Sequence, residues 1–101
     1  MKPYKVYILY SPSTDTFYKG QTLDLIDRIH RHNAGQEKAT KPGIPWQLLW
    51  TTDKHNRSEA IILEKKLKHL SRTRTIEFML KYSEGVAGPD ELLFIQQLSG
   101  C

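Results

Sequence analysis

The first part of the chain consists of short extended segments separated by a cluster of turn residues. Residues 4–10 are rich in aromatic and β-branched side chains, and residues 16–22 form a second extended segment. Ser, Pro, Thr and Asp make up residues 11–15 between them, a composition that is typical of a turn. The pattern predicts a β-hairpin.

The alternation of side chains along a strand decides which of them share a face. In the first strand, Val6, Ile8 and Tyr10 are expected on one side of the sheet and Tyr7 on the other. In the second strand, Tyr18, Gly20 and Thr22 share a face. We therefore expect Tyr7 and Tyr18 to project to the same side of the sheet.

A short amphipathic helix is predicted after the hairpin, with Thr22 as its N-cap and its end near Asn33, before Gly35. One side of this helix is apolar: Leu25, Ile26 and Ile29. The following residues, 34–45, are polar and contain Gly and Pro, so we expect a surface loop.

The second half of the chain is predicted to be mainly helical after a third strand over residues 46–52. A helix begins at Ser58, and its apolar side chains recur at helical spacing: Ala60, Leu63, Leu67 and Leu70. Ser71 is expected to interrupt it before a second helix over residues 73–82. This order of elements predicts an α+β fold, with helices packed against a small antiparallel sheet.

With 101 residues, 39% of them hydrophobic and 26% charged, the chain has material for one domain. We expect residues 83–101 to be a hinge and a short helix, capped by Asp90 and ending at Leu98, that belong to the same domain as residues 1–82. The only cysteine is Cys101, which excludes an intramolecular disulfide and a cysteine-cluster metal site.

The charge and hydropathy pattern limits the classes of function. No apolar run is long enough to span a bilayer, and the N-terminus lacks the layout of a signal peptide, so we expect a cytoplasmic protein. The net charge of +4 and the pI near 9.3 favour a polyanionic partner without naming one.

Two tripeptides of the predicted hairpin, Val6-Tyr7-Ile8 and Tyr18-Lys19-Gly20, resemble the paired tripeptides of the GIY-YIG nucleases. The first has Val6 where the family name has Gly. Further residues follow in the order that the family uses: Arg28, His32 and Glu64. The resemblance spans roughly residues 4–81 and is to the compact branch of the family, which has no appended targeting domain.

This resemblance implies a fold, a three-stranded antiparallel sheet flanked by helices, and an activity, magnesium-dependent hydrolysis of phosphodiester bonds in DNA with little sequence specificity. By the resemblance, Tyr7 helps to activate the attacking water and Tyr18 shapes the site. Arg28 stabilises the phosphate and His32 assists Tyr7. Glu64 binds a single Mg²⁺ ion, a hard cation suited to a carboxylate and water.

The residues themselves leave other interpretations open. The two tyrosines are also explained as half-buried strand residues, Arg28 as a side chain at the edge of a helix, and Glu64 as the partner of Lys68 four residues on. A tyrosine with an ordinary pKa of about 10 needs help to act as a base. Lys19 and His32 are the candidates for that help.

The basic segment that follows Glu64 predicts contacts with a phosphate backbone, although a solvated helix face explains it equally well. With Lys19, its candidate nucleic-acid-binding residues are Lys65, Lys68, Arg72 and Arg74. The partner is DNA, with RNA left open. Many family members have an asparagine after the metal-binding helix, but this chain has none beyond Asn56 and has an altered first tripeptide. This favours the alternative of a nucleic-acid-binding module that cleaves little or not at all. A third alternative is a protein partner, or a second copy, bound through the C-terminal helix.

Overall fold

The computed structural model describes residues 2–100, so Cys101 lies outside the described range. Within it, a single antiparallel sheet has three strands: β1 (Tyr4–Ser11), β2 (Thr16–Thr22) and β3 (Gln47–Lys54). Four α-helices complete the fold: α1 (Leu25–Asn33), α2 (Arg57–Lys68), α3 (Arg72–Lys81) and α4 (Pro89–Leu98). The predicted α+β fold with a three-stranded antiparallel sheet and flanking helices is confirmed.

Strand β1 lies in the middle of the sheet and pairs with both β2 and β3. Every residue from Val6 to Ser11 is buried, because elements cover both faces of this strand. Tyr7 lies opposite Gly20 on β2 and Thr51 on β3. The first tripeptide is therefore held at the centre of the sheet, where neighbouring strands fix its backbone on both sides.

The two faces of the sheet have separate cores, as the alternation along β1 predicts. On one face, Val6, Ile8 and Tyr10 pack with buried side chains of α2, α3 and α4. On the other face, Tyr7 and Leu9 pack with a smaller set: Trp46, Tyr18, Leu25, Ile29, Ile44 and Leu48. The predicted common side of Tyr7 and Tyr18 is confirmed.

The C-terminal helix α4 covers the larger core. Its Ile95 is fully buried, and Phe94 and Leu98 pack around it, whereas Leu93 faces solvent. This packing supports our proposal that the segment after residue 82 belongs to the same domain as the sheet. No helix in residues 2–100 is long and apolar enough to cross a membrane.

Helix α1 begins two residues later than predicted. Asp24, not Thr22, is the N-cap, and its carboxylate accepts a hydrogen bond of 3.0 Å from the backbone N–H of Asp27. The Thr22 hydroxyl instead accepts from the N–H of Asp24 at 3.1 Å. Ile26, which was grouped with Leu25 and Ile29 on the apolar side of this helix, is 84% exposed and does not join them in the core.

Helix α4, in contrast, starts earlier than predicted. Pro89 occupies its first turn after an extended Gly88, a position that the fixed φ of proline favours. Asp90 was expected to be the cap but lies inside the first turn. There its negative charge complements the helix dipole.

Candidate active site

A buried hydrogen bond joins Tyr7 and His32 on the face of the sheet that α1 covers. The Tyr7 hydroxyl lies 3.2 Å from Nε2 of His32, and the two residues are 0% and 1% exposed. His32 is in the last turn of α1, four residues after Arg28, so both side chains leave the helix on the same face. Helix α1 thus presents an imidazole and a guanidinium to the first tripeptide.

The other ring nitrogen of His32 is held by Thr40. Nδ1 lies 2.8 Å from the Thr40 hydroxyl oxygen, and Thr40 is only 4% exposed. The segment after α1 was predicted to be a surface loop, but Thr40 and Gly43 are buried. Thr40 was not predicted as a site residue, because no local periodicity marks a loop residue that becomes buried against a helix.

Aromatic rings enclose the Tyr7–His32 pair. The ring of Tyr18 lies edge-on to His32, with centroids 4.9 Å apart, and 6.3 Å from the ring of Tyr7. Trp46 packs against Tyr18 with centroids 6.2 Å apart. These rings keep water away from much of the pair, which strengthens its electrostatic interactions.

Gly20 leaves the space that the Tyr7 ring occupies. A Cβ at this position would stand 2.5 Å from the Tyr7 hydroxyl oxygen and 3.0 Å from the ring of Tyr18. Real side chains do not tolerate the first distance. The glycine of the second tripeptide therefore accommodates Tyr7 itself, in addition to any role it has toward a ligand.

Arg28 and Glu64 both act on the Tyr7 hydroxyl, although they come from different helices. Burial raises the pKa of Tyr7 well above its usual range, and the neighbouring Tyr18 raises it further. The positive charge of Arg28 lowers this pKa, whereas the negative charge of Glu64 raises it. Burial and then Glu64 also raise the pKa of Tyr18. Both charges are thus close enough to the two hydroxyls to influence their ionisation.

His32 is suited to accept a proton at neutral pH. Burial lowers the pKa of its imidazole below the ordinary 6.5, Glu37 partly offsets this shift and Arg28 adds to it. The ring is consequently neutral near pH 7, and a neutral imidazole has one nitrogen with a free lone pair. Tyr7, by contrast, stays protonated because its pKa is raised.

Glu64 is half-buried at the edge of this site, with a side chain that is 19% exposed. The nearest cation is Lys68, whose Nζ lies 3.9 Å from Oε2. This is a long pair, and Lys68 itself is about half exposed, so it leaves the carboxylate accessible to another cation. Within α1, α2 and the rest of residues 2–100, no carboxylate forms a salt bridge with Arg28.

The side chains around Glu64 fit Mg²⁺ better than they fit a metal ion whose ligands are all protein side chains. In the part of the chain that the structure describes, no three His, Cys, Asp or Glu side chains converge on one point. Mg²⁺ is commonly bound by one or two carboxylates and keeps several waters and substrate oxygens. A lone, partly exposed Glu64 beside two hydroxyls is compatible with that mode of binding.

The predicted basic contacts are distributed over different surfaces. Lys19 lies on the opposite face of the sheet from Tyr7, with its Nζ 6.0 Å from the ring centroid of Phe17, so it does not reach the tyrosine that it was expected to help. Arg72 forms an ion pair of 3.0 Å with Asp15 in the hairpin turn. Lys65, Lys68 and Arg74 are exposed.

The structure therefore brings together the five residues predicted for catalysis: Tyr7, Tyr18, Arg28, His32 and Glu64. It adds Thr40 and Gly20 as their neighbours. The basic residues predicted for nucleic-acid binding do not join this cluster, except for Lys68 beside Glu64.

Comparison with known proteins agrees with this arrangement. Residues 3–77 match the GIY-YIG catalytic domain. A UPF0213 protein of Pediococcus pentosaceus is 38% identical over 68 residues, which are 66% of this chain and 72% of that protein. A UPF0213 protein of Halobacterium salinarum is 37% identical over 70 residues, 68% of this chain and 90% of that one.

A solved structure is also similar. The solution NMR structure of the UPF0213 protein BH0048 from Bacillus halodurans has 34% sequence identity and a TM-score of 0.50, and the match covers 87% of this chain and 89% of that one. The paired tripeptides, the geometry around Tyr7 and these matches together establish that the chain belongs to the GIY-YIG nuclease superfamily, with UPF0213 proteins among its relatives.

Proposed function

We propose that this protein is a magnesium-dependent endonuclease that hydrolyses phosphodiester bonds in DNA with little sequence specificity. The observation that carries the proposal is the buried hydrogen bond between the Tyr7 hydroxyl and Nε2 of His32, formed where the charges of Arg28 and Glu64 both act on the same hydroxyl. A nucleophile activator, a phosphate ligand and a metal ligand would then share one site.

The protonation states suggest how water is activated. Because the pKa of Tyr7 is raised, a standing phenolate is disfavoured, so Tyr7 needs an acceptor for its own proton as it takes one from water. His32 is that acceptor: its lowered pKa keeps it neutral. The water proton passes to the Tyr7 oxygen, the Tyr7 proton passes to Nε2, and the water oxygen bonds to phosphorus as the phosphate–oxygen bond of the leaving group breaks. The leaving oxygen keeps the bonding electron pair and takes a proton from solvent water, and His32 later returns its extra proton to solvent.

The remaining residues would stabilise charge. Arg28 suits the non-bridging phosphate oxygens because its planar guanidinium can donate to two of them and stays charged at any working pH. Glu64 is the residue that would hold Mg²⁺, which when bound supplies charge neutralisation at the phosphate and the leaving oxygen. Tyr18, whose ring packs edge-on against His32, would shape the site on one side of the Tyr7 hydroxyl.

The substrate would be held mainly through its backbone. Lys65, Lys68 and Arg74 are exposed on α2 and α3, and such side chains contact phosphates without reading base sequence.

Selectivity would then come from the structure of the nucleic acid or from a partner protein. Leu93, which is 57% exposed on α4, is the apolar side chain that such a partner would meet. Cytoplasmic location stays a prediction.

The alternative function is a nucleic-acid-binding module with little or no cleavage. It is favoured by the altered first tripeptide, with Val6 in place of Gly, and by the lack of an asparagine after Asn56. The Lys68–Glu64 pair also gives the carboxylate a protein partner in the absence of a metal.

Incubation of the purified protein with branched, nicked and plain DNA and RNA, in Mg²⁺ and in EDTA, separates the two functions. The nuclease proposal predicts cleavage of at least one DNA in Mg²⁺ and none in EDTA. Binding to these nucleic acids without cleavage of any would favour the binding module.

A further inference from the structure

Thr40 holds a central place in the buried segment between α1 and β3. Its backbone carbonyl accepts hydrogen bonds from the indole N–H of Trp46 at 2.8 Å and from the N–H of Gly43 at 3.0 Å. Its own N–H donates to the carbonyl of Glu37 at 3.1 Å. Three hydrogen bonds made by the Thr40 backbone therefore fix the position from which its hydroxyl contacts His32.

The same segment is anchored to the end of α1. The Asn33 side chain accepts from the N–H of Trp46 at 2.6 Å and donates to the Trp46 carbonyl at 3.1 Å. Asn33 directly follows His32 in the chain. The contact between Thr40 and the imidazole is consequently part of a rigid connection and not a chance approach of a mobile loop.

The hydrogen-bond directions around the Thr40 hydroxyl decide where the proton of His32 lies. The Thr40 hydroxyl oxygen lies 3.3 Å from the carbonyl oxygen of Glu37. Because a carbonyl can only accept, this hydrogen bond requires the hydroxyl to donate its single proton there. Toward Nδ1 of His32, 2.8 Å away, the same oxygen must then accept, so Nδ1 has the hydrogen. In a neutral imidazole this leaves Nε2 as an acceptor, which faces the Tyr7 hydroxyl.

We infer that Thr40 is a positioning residue that fixes His32 as the Nδ1–H tautomer, with Nε2 free to take the proton of Tyr7. This inference rests on the proposed nuclease function for its catalytic consequence, but not for the tautomer itself. The opposite tautomer would place a hydrogen on Nε2, where it blocks proton transfer from Tyr7. It would also require Thr40 to give up its hydroxyl bond to Glu37. The partner of the second ring nitrogen commonly sets the tautomer of a functional histidine.

The test is a long-range ¹H–¹⁵N NMR spectrum of the ¹⁵N-labelled full chain at neutral pH, which distinguishes the protonated ring nitrogen of His32. Wild type should have Nδ1 protonated and Nε2 unprotonated. Thr40→Val has nearly the same shape but no hydroxyl, and it should populate the Nε2–H tautomer. Thr40→Ser keeps the hydroxyl and should retain the wild-type tautomer.

Cleavage supplies the second readout. Thr40→Val should lower kcat by roughly 10- to 100-fold, the range for losing a group that orients a functional histidine, with KM unchanged, and Thr40→Ser should restore most of it. An Nε2–H tautomer in wild type, or an unaltered tautomer and kcat in Thr40→Val, would overturn the inference. The wild-type spectrum decides the tautomer even if the valine variant does not fold. If no protein cleaves but the tautomer changes as expected, the nuclease function fails while the assignment of Thr40 as the group that fixes the tautomer holds.

Discussion

The ring of Tyr7 lies over Gly20, its partner in the register between β1 and β2, so closely that a Cβ on Gly20 would stand 2.7 Å from Cζ of the tyrosine. The tyrosine of the first tripeptide therefore fills the space that the missing side chain of Gly20, in the second tripeptide, leaves open. Tyr7 is fully buried between flanking rings, so it cannot move aside at little cost.

Gly20→Ala should therefore destabilise the fold by about 1–3 kcal/mol, as overpacking of a filled core does, and should reduce cleavage by displacing the Tyr7 hydroxyl from His32. Urea denaturation and cleavage rates measure the two effects. Tyr7→Phe removes the atom in closest contact, so the double variant should be less destabilised than the sum of the single variants. Strict additivity would mean that the two residues do not compete for space.

Glu64→Gln separates the metal-ligand role from a simple helix pair. The change should lower stability by only about 0.2–0.5 kcal/mol, the value of a helix-surface ion pair with Lys68. We expect it to abolish magnesium-dependent cleavage while DNA is still bound. Glu59→Gln is the control, because Glu59 is exposed in the first turn of the same helix. This variant should cleave DNA like wild type. Full activity of Glu64→Gln would leave the site without a metal ligand.

The pH dependence of cleavage should report the neutral state of His32. The groups that face this imidazole are Tyr7, Tyr18, Thr40, Arg28 and Glu37. Burial, the largest influence, lowers the pKa of His32 below 6.5. A base with a lowered pKa stays neutral to lower pH, so cleavage should hold as the pH falls to 6.5 and decline only below it.

The stability of the fold should depend on pH in the same direction as cleavage. Because the unfolded chain binds the His32 proton at a higher pH than the folded chain, the stabilisation is complete above pH 6.5 and is lost as the pH falls through the lower folded pKa. His30→Gln is the control, because His30 is an exposed neighbour of His32. Its cleavage rate and its stability should depend on pH as those of wild type do. A rate that already halves well above pH 6.5 would argue against His32 as the acceptor.

Arg72 and Arg74 look equivalent in sequence, but their surroundings predict different effects. Arg72 bonds both the carboxylate and the backbone carbonyl of Asp15, the hairpin residue with a positive φ of 55°. Arg72→Ala should therefore cost up to about 1 kcal/mol of stability, the upper value for an exposed pair. Arg74→Ala should leave stability unchanged, weaken DNA binding and reduce the salt slope of the affinity by about one. Denaturation curves and salt titrations of DNA binding on both variants test this difference. A loss of stability in Arg74→Ala but not in Arg72→Ala would contradict it.

The fold could be predicted from the sequence wherever a local pattern determines the structure. Alternation along residues 4–10 and the turn cluster gave the hairpin, and the common side of Tyr7 and Tyr18 followed from a period of two. Helix ends were less predictable. Asp24 competes with Thr22 for the start of α1, because both residues are good caps and their spacing does not decide between them.

The site was predictable only as far as the family resemblance reaches. Arg28, His32 and Glu64 lie where the tripeptides led us to expect them, but Thr40 was not identified. Its burial depends on Trp46 and Asn33, which pin the segment after α1 to the helix. Such contacts are formed between distant residues, so neither composition nor periodicity of the loop indicates them.

In the proposed mechanism the Tyr7 hydroxyl relays a proton from the attacking water to His32. The single-turnover cleavage rate of Tyr7→Phe in Mg²⁺ measures what this hydroxyl contributes. The change removes one oxygen and leaves the ring in place. Tyr10→Phe is the matched control, because it removes a hydroxyl from the opposite face of the same strand, where it donates to Asp15. We predict that Tyr7→Phe cuts roughly 10²- to 10⁴-fold more slowly than wild type, as expected for loss of a general acid–base group, and that Tyr10→Phe cuts normally. Cleavage by Tyr7→Phe at the wild-type rate would show that another group activates the water.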